Sequence, residues 1–502
     1  MSISPANKRP AMFLTVQFGK GPQSSGAAPR NIVVTGYRKT VGSGTATLAD
    51  NTLYGPIVSE DEAAAQWGFG SEMHLGVREA FDENQDVTLW GVSYPEAVGG
   101  NYAEQTLTIT NAAVLGGSLL IQVQGYLRLV EVPISPGMTA NDQATAVYNE
   151  MIKIRDLPVY CPTAPVANTV LFRWNHKGAR GNVMSLRYEA SGVTGSTYGF
   201  AVTTVGTTDS DPSTALDALA SFDAKIITCP DNSSSTTVGV PRWTQYANDR
   251  ADPLIGMRGI IVAGHTGSLG QATVVSTAVN AHRCTIAWCK DAETPPYAMA
   301  ARYAVFIIKG TDEDIAANIA GKLWLNFRGP VLNSSRITNA EETAALNVGL
   351  TPIKTFPTQT TVGKVSRPIT TRFQTVDGNP DYACLGLQCV LVPDDIADEL
   401  ETDVPIHFEG YKLADNDPNE PNQDGIPNVL TPELFDDFLF ERLRKRGADG
   451  QLVNVEAIIA SGAIKSKLHP SNRDRLLTPN IPLQVIGHFL QWEAVFKQVT
   501  AA

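Results

Sequence analysis

Apolar residues recur along this chain with two periods, and the switches between them mark out its elements. Near the start, Leu14, Val16 and Phe18 alternate with polar Thr15 and Gln17, the period-two signature of a strand, between Pro5, Pro10 and a Gly-Pro-Ser-Ser-Gly-Ala-Ala-Pro linker. That strand has no local partner, so the pattern predicts a tethered arm that pairs with a sheet elsewhere. Residues 31–36 predict a buried strand. Ser59 with Glu62 three residues on spells a capping box opening a helix that stops at Gly68. Ser71 opens a second helix with Met73, Val77, Ala80 and Phe81 on one face, and residues 87–92 follow as a strand.

From about residue 105 to 188 the text becomes strand-like around one helix near 142–155, which predicts a mainly β insertion. Residues 191–208, rich in Gly, Ser and Thr, read as a separator. Beyond them strand and helix alternate: strands at 224–229, 259–263 and 284–288 and a helix at 274–281 predict parallel strands with crossover helices. Helices are expected at 311–326 and 340–347, a strand at 365–375, and a short helix at 394–400. Thr431-Pro432 opens an amphipathic helix with Leu434, Phe435, Phe438, Leu439 and Leu443 on one face, finishing at Arg446-Gly447. Residues 482–498 close on a second apolar, strand-like segment. The expected fold is therefore α/β (α+β overall) and multi-domain: an N-terminal arm and linker at 1–30, a first α/β part at 31–100, a mainly β inserted domain at 101–200, a central α/β domain at 201–380, and a C-terminal assembly domain with a terminal strand arm at 381–502.

Composition narrows the function. With 502 residues the chain is too long for one core, and 43% hydrophobic residues exclude a mainly disordered protein. The net charge of −12 and the want of a basic stripe argue against nucleic acid as a partner. The apolar stretches at 11–16 and 303–308 are too short for a signal-peptide core or a bilayer span, so neither export nor membrane insertion is expected. Six cysteines, mostly inside apolar runs, suit buried reduced thiols in a cytoplasmic compartment.

Each candidate for chemistry has a simpler explanation. The turn Gly264-His-Thr-Gly-Ser-Leu-Gly270 lies between a buried strand and a helix, where backbone N–H groups can meet a phosphate, yet it lacks the Lys-Ser/Thr of a P-loop and the G-x-G-x-x-G spacing. Trp67-Gly-Phe-Gly-Ser71 serves to end one helix and cap the next. Cys284-x4-Cys289 and Cys384-x4-Cys389 sit in strand-like text, where a five-residue offset sends two thiols to opposite faces rather than onto one metal. The seven histidines are scattered without an H-E-x-x-H motif. The loop from Asp415 has Glu420 and Ile426 where a calcium loop needs Gly and Glu. Arg442, Arg444, Lys445 and Arg446 complement a helix macrodipole. No catalytic residue, cofactor or metal is expected.

One set of strings, taken in order, resembles a known family. Residues 31–36 followed by Trp67-Gly-Phe-Gly-Ser71, the turn His176-Lys-Gly-Ala-Arg-Gly-Asn182, the turn 264–270, Leu346-Asn-Val-Gly-Leu350, Arg367-Pro-Ile-Thr-Thr371, Asp377-Gly-Asn-Pro-Asp-Tyr382 and Lys412-Leu-Ala-Asp415 are similar to those of contractile phage tail sheath proteins, in their Mu-like branch. Trp67 stands where that pattern has Phe, and Ser268 where it has Thr.

The resemblance implies a structural, non-enzymatic subunit that stacks with copies of itself in hexameric rings around a tail tube protein, meets baseplate and tail terminator proteins, assembles in host cytoplasm and ends in the virion. It implies that Leu14, Val16 and Phe18 in one arm, and Val485, Ile486, Phe489 and Leu490 in the other, enter a neighbour's sheet by strand addition. A soluble nucleotide- or phosphate-binding enzyme using the turn 264–270, and the sheath of a bacterial contractile injection particle, are the alternatives.

Overall fold

A computed structural model describes residues 30–40, 45–126, 128–357, 359–381, 385–415 and 428–488. Leu14, Val16, Phe18, Phe489, Leu490, Cys384 and most of the calcium-like loop lie outside the described residues. The chain is mixed α/β and forms two compact units; among the described residues the larger takes 30–309 and 321–381, the smaller 310–320 and 385–488.

The larger unit is built on a nine-stranded sheet. Ile32–Gly36 lies third from one edge, wholly buried and parallel to both neighbours, Ile226–Cys229 on one side and Leu89–Ser93 on the other. Ile260–His265, Cys284–Trp288 and Thr351–Phe356 continue the parallel set past Ile226–Cys229. Strands covered on both faces read as unbroken apolar runs, which is why the sequence announces most of them. Antiparallel strands close the edges: Tyr54–Ile57 at one end, Gln359–Val365 and Leu323–Leu325 at the other.

Several helices differ from expectation. Residues 311–326 hold no helix; the helix is Pro296–Gly310, just before them. It is buried from Pro296 to Ile308, so it has no polar stripe whose period could be read. The capping box at Ser59 is half formed: Ser59 accepts from the Glu62 N–H, but the Glu62 carboxylate accepts from Val58 rather than from Ser59. Phe81 is only partly buried, while Met73, Val77 and Ala80 are in the core.

The strand expected at 365–375 ends at Val365. Pro368 cannot donate to a ladder, and Thr371 instead exchanges hydrogen bonds with the backbone of Ala281, 2.9 and 3.2 Å. The β region holds two sheets. One runs Thr197–Thr204, Tyr102–Thr110, Thr169–Lys177, Val159–Tyr160, and the other Val130–Ile134, Gly117–Val123, Leu186–Ser191. Thr197–Thr204 falls in the stretch expected to be a separator: it is an uncharged, mostly exposed edge strand paired with Tyr102–Thr110. Helix Ala140–Met151, closed by a Thr139–Asp142 capping box, packs on the same core. That core continues into Leu75, Tyr297 and Ala298 of the α/β part.

In the smaller unit Gln388–His407 and Pro432–Ala448 bury Val392, Ile396, Leu400, Phe438, Leu439 and Leu443 around Ile315, Leu452 and Val485. Gln388–His407 is far longer than the expected 394–400 despite Pro393 and Pro405. Leu434, assigned to the buried face, is 43% exposed.

Candidate functional site

The chain enters the parallel sheet at Ile32–Gly36, steps outward to Leu89–Ser93, then crosses to Ile226–Cys229 on the opposite side. Strand order reverses there, and the crevice beyond the carboxyl ends of such strands is where open α/β sheets bind ligands. Here part of the crevice is occupied from within. Tyr37, Tyr94 and Asp231 follow the three strands, and Arg180 of the 3-10 turn Ala179–Val183 projects among them.

Arg180 donates to the Glu72 carboxylate at 2.8 Å and to the Tyr94 hydroxyl at 3.1 Å, and ion-pairs with Asp231 at 3.2 Å. Its guanidinium lies 3.9 Å from the centre of the Tyr37 ring. Trp243 donates its indole N–H to Asp231 at 3.0 Å, and the Glu72 carboxylate also accepts from the Tyr37 N–H at 3.1 Å. The cluster is buried, so each charge depends on its partners. Burial pushes Asp231 up to about 6, against the pull of Arg180. Burial raises Tyr37 to about 12, and works against the charge on Arg180, but Asp231 and Glu72 outweigh it and hold Arg180 well above its ordinary value.

Two of the family-like strings build this cluster. His176 accepts the Glu72 N–H on Nε2 at 3.2 Å and meets Glu96 through Nδ1 at 3.0 Å. Gly178 has φ +116, and a Cβ there would lie 2.3 Å from the Asp209 carboxylate. Asn182 exchanges two hydrogen bonds with the Gly206 backbone, 2.8 and 2.7 Å. Gly70, φ +75, would put a Cβ 2.1 Å from the Leu157 carbonyl, so the turn before helix Glu72–Glu83 packs tightly on the β region. Trp67 is accommodated by Gly91, where a Cβ would lie 2.5 Å from the indole ring. An open cleft beside Arg180 is lined by Trp174, Asn175, His176, Met184, Pro230 and Tyr297.

The turn 264–270 spends two of its backbone donors, those of Gly267 and Ser268, within the chain. Gly267 N–H donates to His265 Nδ1 at 3.1 Å, and Ser268 and Gln271 cap helix Leu269–Val279 reciprocally. The Gly267 carbonyl accepts from Trp288 Nε1 at 2.9 Å. A Cβ at Gly264 would sit 2.2 Å from the Pro296 carbonyl, so this glycine admits the buried helix to the sheet. Burial pulls His265 down to about 4.

The remaining candidates have structural partners. Arg302, 0% exposed, joins helices through Glu79 at 2.9 Å and Glu83 at 3.5 Å, with Arg328 3.6 Å from Glu79. Cys284 and Cys289 are buried, with Cys284 raised to about 12 by burial, and no metal-ligand group is found among the described residues. Arg442 pairs with Asp403 at 2.9 Å, Arg444 with Glu456 at 2.6 Å, and Arg446 with Asp395 at 2.7 Å and with Glu399. Of the arm residues, Val485 is 5% exposed in its own chain's core and bridges Leu452, while Ile486 is 36% exposed. The sequence did not single out Arg180 as a buried ion; its signal is one Arg between two glycines of a turn set in apolar strand text.

No protein family matches the sequence, and no curated protein does. Solved structures resemble the chain in outline. The sheath tail protein from Desulfitobacterium hafniense has 15% identity and TM-score 0.42, with 88% of this chain and 90% of that one covered. A sheath tail protein from Listeria innocua has 11% identity and TM-score 0.47, covering 93% and 94%. A chain of the anti-feeding prophage baseplate, six-fold symmetrised, has 9% identity and TM-score 0.41, covering 99% and 100%. Each is a likeness below the level at which function transfers.

Proposed function

We propose that this chain is a structural subunit of a contractile tail sheath, of the Mu-like kind, polymerising as stacked rings around a tail tube and contracting to drive the tube through a host envelope. The observation that carries the reading is the buried cluster at the switch point. Two of the strings that resemble the sheath family build a buried Arg180–Glu72–Asp231 cluster that joins the β region to the α/β core and occupies part of the switch-point crevice. In the turn 264–270 the Gly267 and Ser268 N–H groups are committed within the chain, which counts against a nucleotide there.

In this reading the apolar string Leu14, Val16 and Phe18, and the segment after Val485 with Ile486, Phe489 and Leu490, add strands to neighbours' sheets. Main-chain hydrogen bonds of that kind survive rigid-body movement, so tethered neighbours stay linked while subunits rotate. Tail tube, baseplate and terminator proteins are its partners, and the tail of a virion is its place. Deleting residues 1–21 is expected to leave a folded monomer by sedimentation where the full chain forms heavy polymers; equal polymerisation of both would overturn the arm role. A nucleotide panel is expected to leave the melting temperature unchanged, and saturable stabilisation by any nucleotide would restore the enzyme reading.

A further inference from the structure

The β region joins the α/β core through two connectors: an outgoing one at residues 94–101 and a returning one at 205–212. Two adjacent connectors are the place where such a region would hinge. Every second residue of the turn 176–182 bonds a connector. On the outgoing side, His176 Nδ1 meets Glu96 at 3.0 Å, Gly178 N–H donates to the Asn101 carbonyl at 3.0 Å, and Arg180 donates to the Tyr94 hydroxyl at 3.1 Å. On the returning side, the Arg180 backbone N–H donates to Asp209 at 3.3 Å, its guanidinium lies 3.8 Å from the same carboxylate, and Asn182 holds both backbone groups of Gly206. Ser210 N–H donates to the Tyr37 hydroxyl at 2.9 Å, beneath the Arg180 guanidinium.

We propose that the turn 176–182 is a hinge lock: with Arg180 seated in the switch-point crevice, both connectors are fixed and the β region moves with the α/β core as one body. The lock rests on the contacts of a single subunit, so it holds or fails whatever the assembly. Three features distinguish it from ordinary packing. Its bonds fall on both connectors rather than one. They come from alternate residues of one short turn. Its key is a buried charge whose withdrawal would leave Glu72 and Asp231 facing each other without a cation. Arg180 is shared by both connectors, its guanidinium holding Tyr94 on the outgoing side and lying 3.8 Å from Asp209 on the returning side, while His176 and Asn182 each hold one, so loss of Arg180 loosens both and loss of a flanking residue loosens one.

Limited digestion of the full chain with endoproteinase Glu-C in phosphate buffer, which cuts after Glu and also after Asp, tests this. Fragment masses report Glu96 and Asp209 separately. Wild type is expected to resist at both sites. Arg180→Ala is expected to be cut at both at least about tenfold faster while retaining cooperative unfolding, since cleavage follows the population of the opened form. His176→Ala is expected to open Glu96 alone, and Asn182→Ala to open Asp209 alone. Wild-type resistance in a cooperatively folded Arg180→Ala, or rapid cutting of wild type at both sites, would overturn the lock. If Arg180→Ala does not fold, the two flanking variants decide: selective cutting supports the lock, and protection in both refutes it.

Discussion

Asp231 and His265 are both buried and titrate with opposite sign. The Asp231 carboxyl is raised from 3.8 to about 6, so the native state holds its proton where the unfolded state has lost it. Stability from this group is present below about 3.8 and lost as pH rises through about 6. His265 is lowered from 6.5 to about 4 by burial, and its Nδ1 must stay unprotonated to accept the Gly267 N–H. Its contribution is present above 6.5 and lost as pH falls towards 4. From pH 4 to 7, wild type measured against Asp231→Asn is expected to lose as much as about 3 kcal/mol, and against His265→Asn to gain about as much. Denaturant titrations across that range check both; parallel curves for wild type and variant would contradict the assignment. None of this was legible in the sequence, because a charge shows its burial only when strands distant in the chain close around it. The glycines were legible as turn residues, but the neighbours that require them were not.

At the scale of elements, the sequence announced the strands at 226–229, 260–265 and 284–288, because burial on both faces leaves only apolar residues to read. The same burial concealed helix Pro296–Gly310, whose run of Ala, Tyr, Val, Phe and Ile has no period distinguishing it from strand. Strand Thr197–Thr204 was concealed for the opposite reason: its exposed Thr, Gly and Ala resemble a loop. Helices Glu72–Glu83 and Pro296–Gly310 are held by Arg302 between Glu79 and Glu83. Arg302→Met is expected to cost about 3–5 kcal/mol by leaving two buried carboxylates, and adding Glu79→Gln should recover part of it. Strict additivity in that cycle would show the pair uncoupled. Gly264→Ala, driving a methyl into the Pro296 carbonyl, is expected to lower stability by about 1–3 kcal/mol or more in thermal melts; an unchanged melt would mean the helix can shift freely.

At the scale of the whole molecule, length and composition foretold several cores, and the chain has an α/β core continuous with its β region and a separate smaller unit. The buried clusters use ionisable residues to tie elements together, and Arg442 and Arg444 of helix Pro432–Ala448 pair with carboxylates of their own unit. In the proposed sheath reading, the body carries force and the termini link it to other copies. The net charge of −12 favours solubility of the free subunit. The most direct test is negative-stain microscopy of the full-length protein, alone and with its tail tube protein. The sheath account predicts hollow, cross-striated tubes, in the contracted form alone and in the extended form around the tube; discrete small particles under both conditions would contradict it.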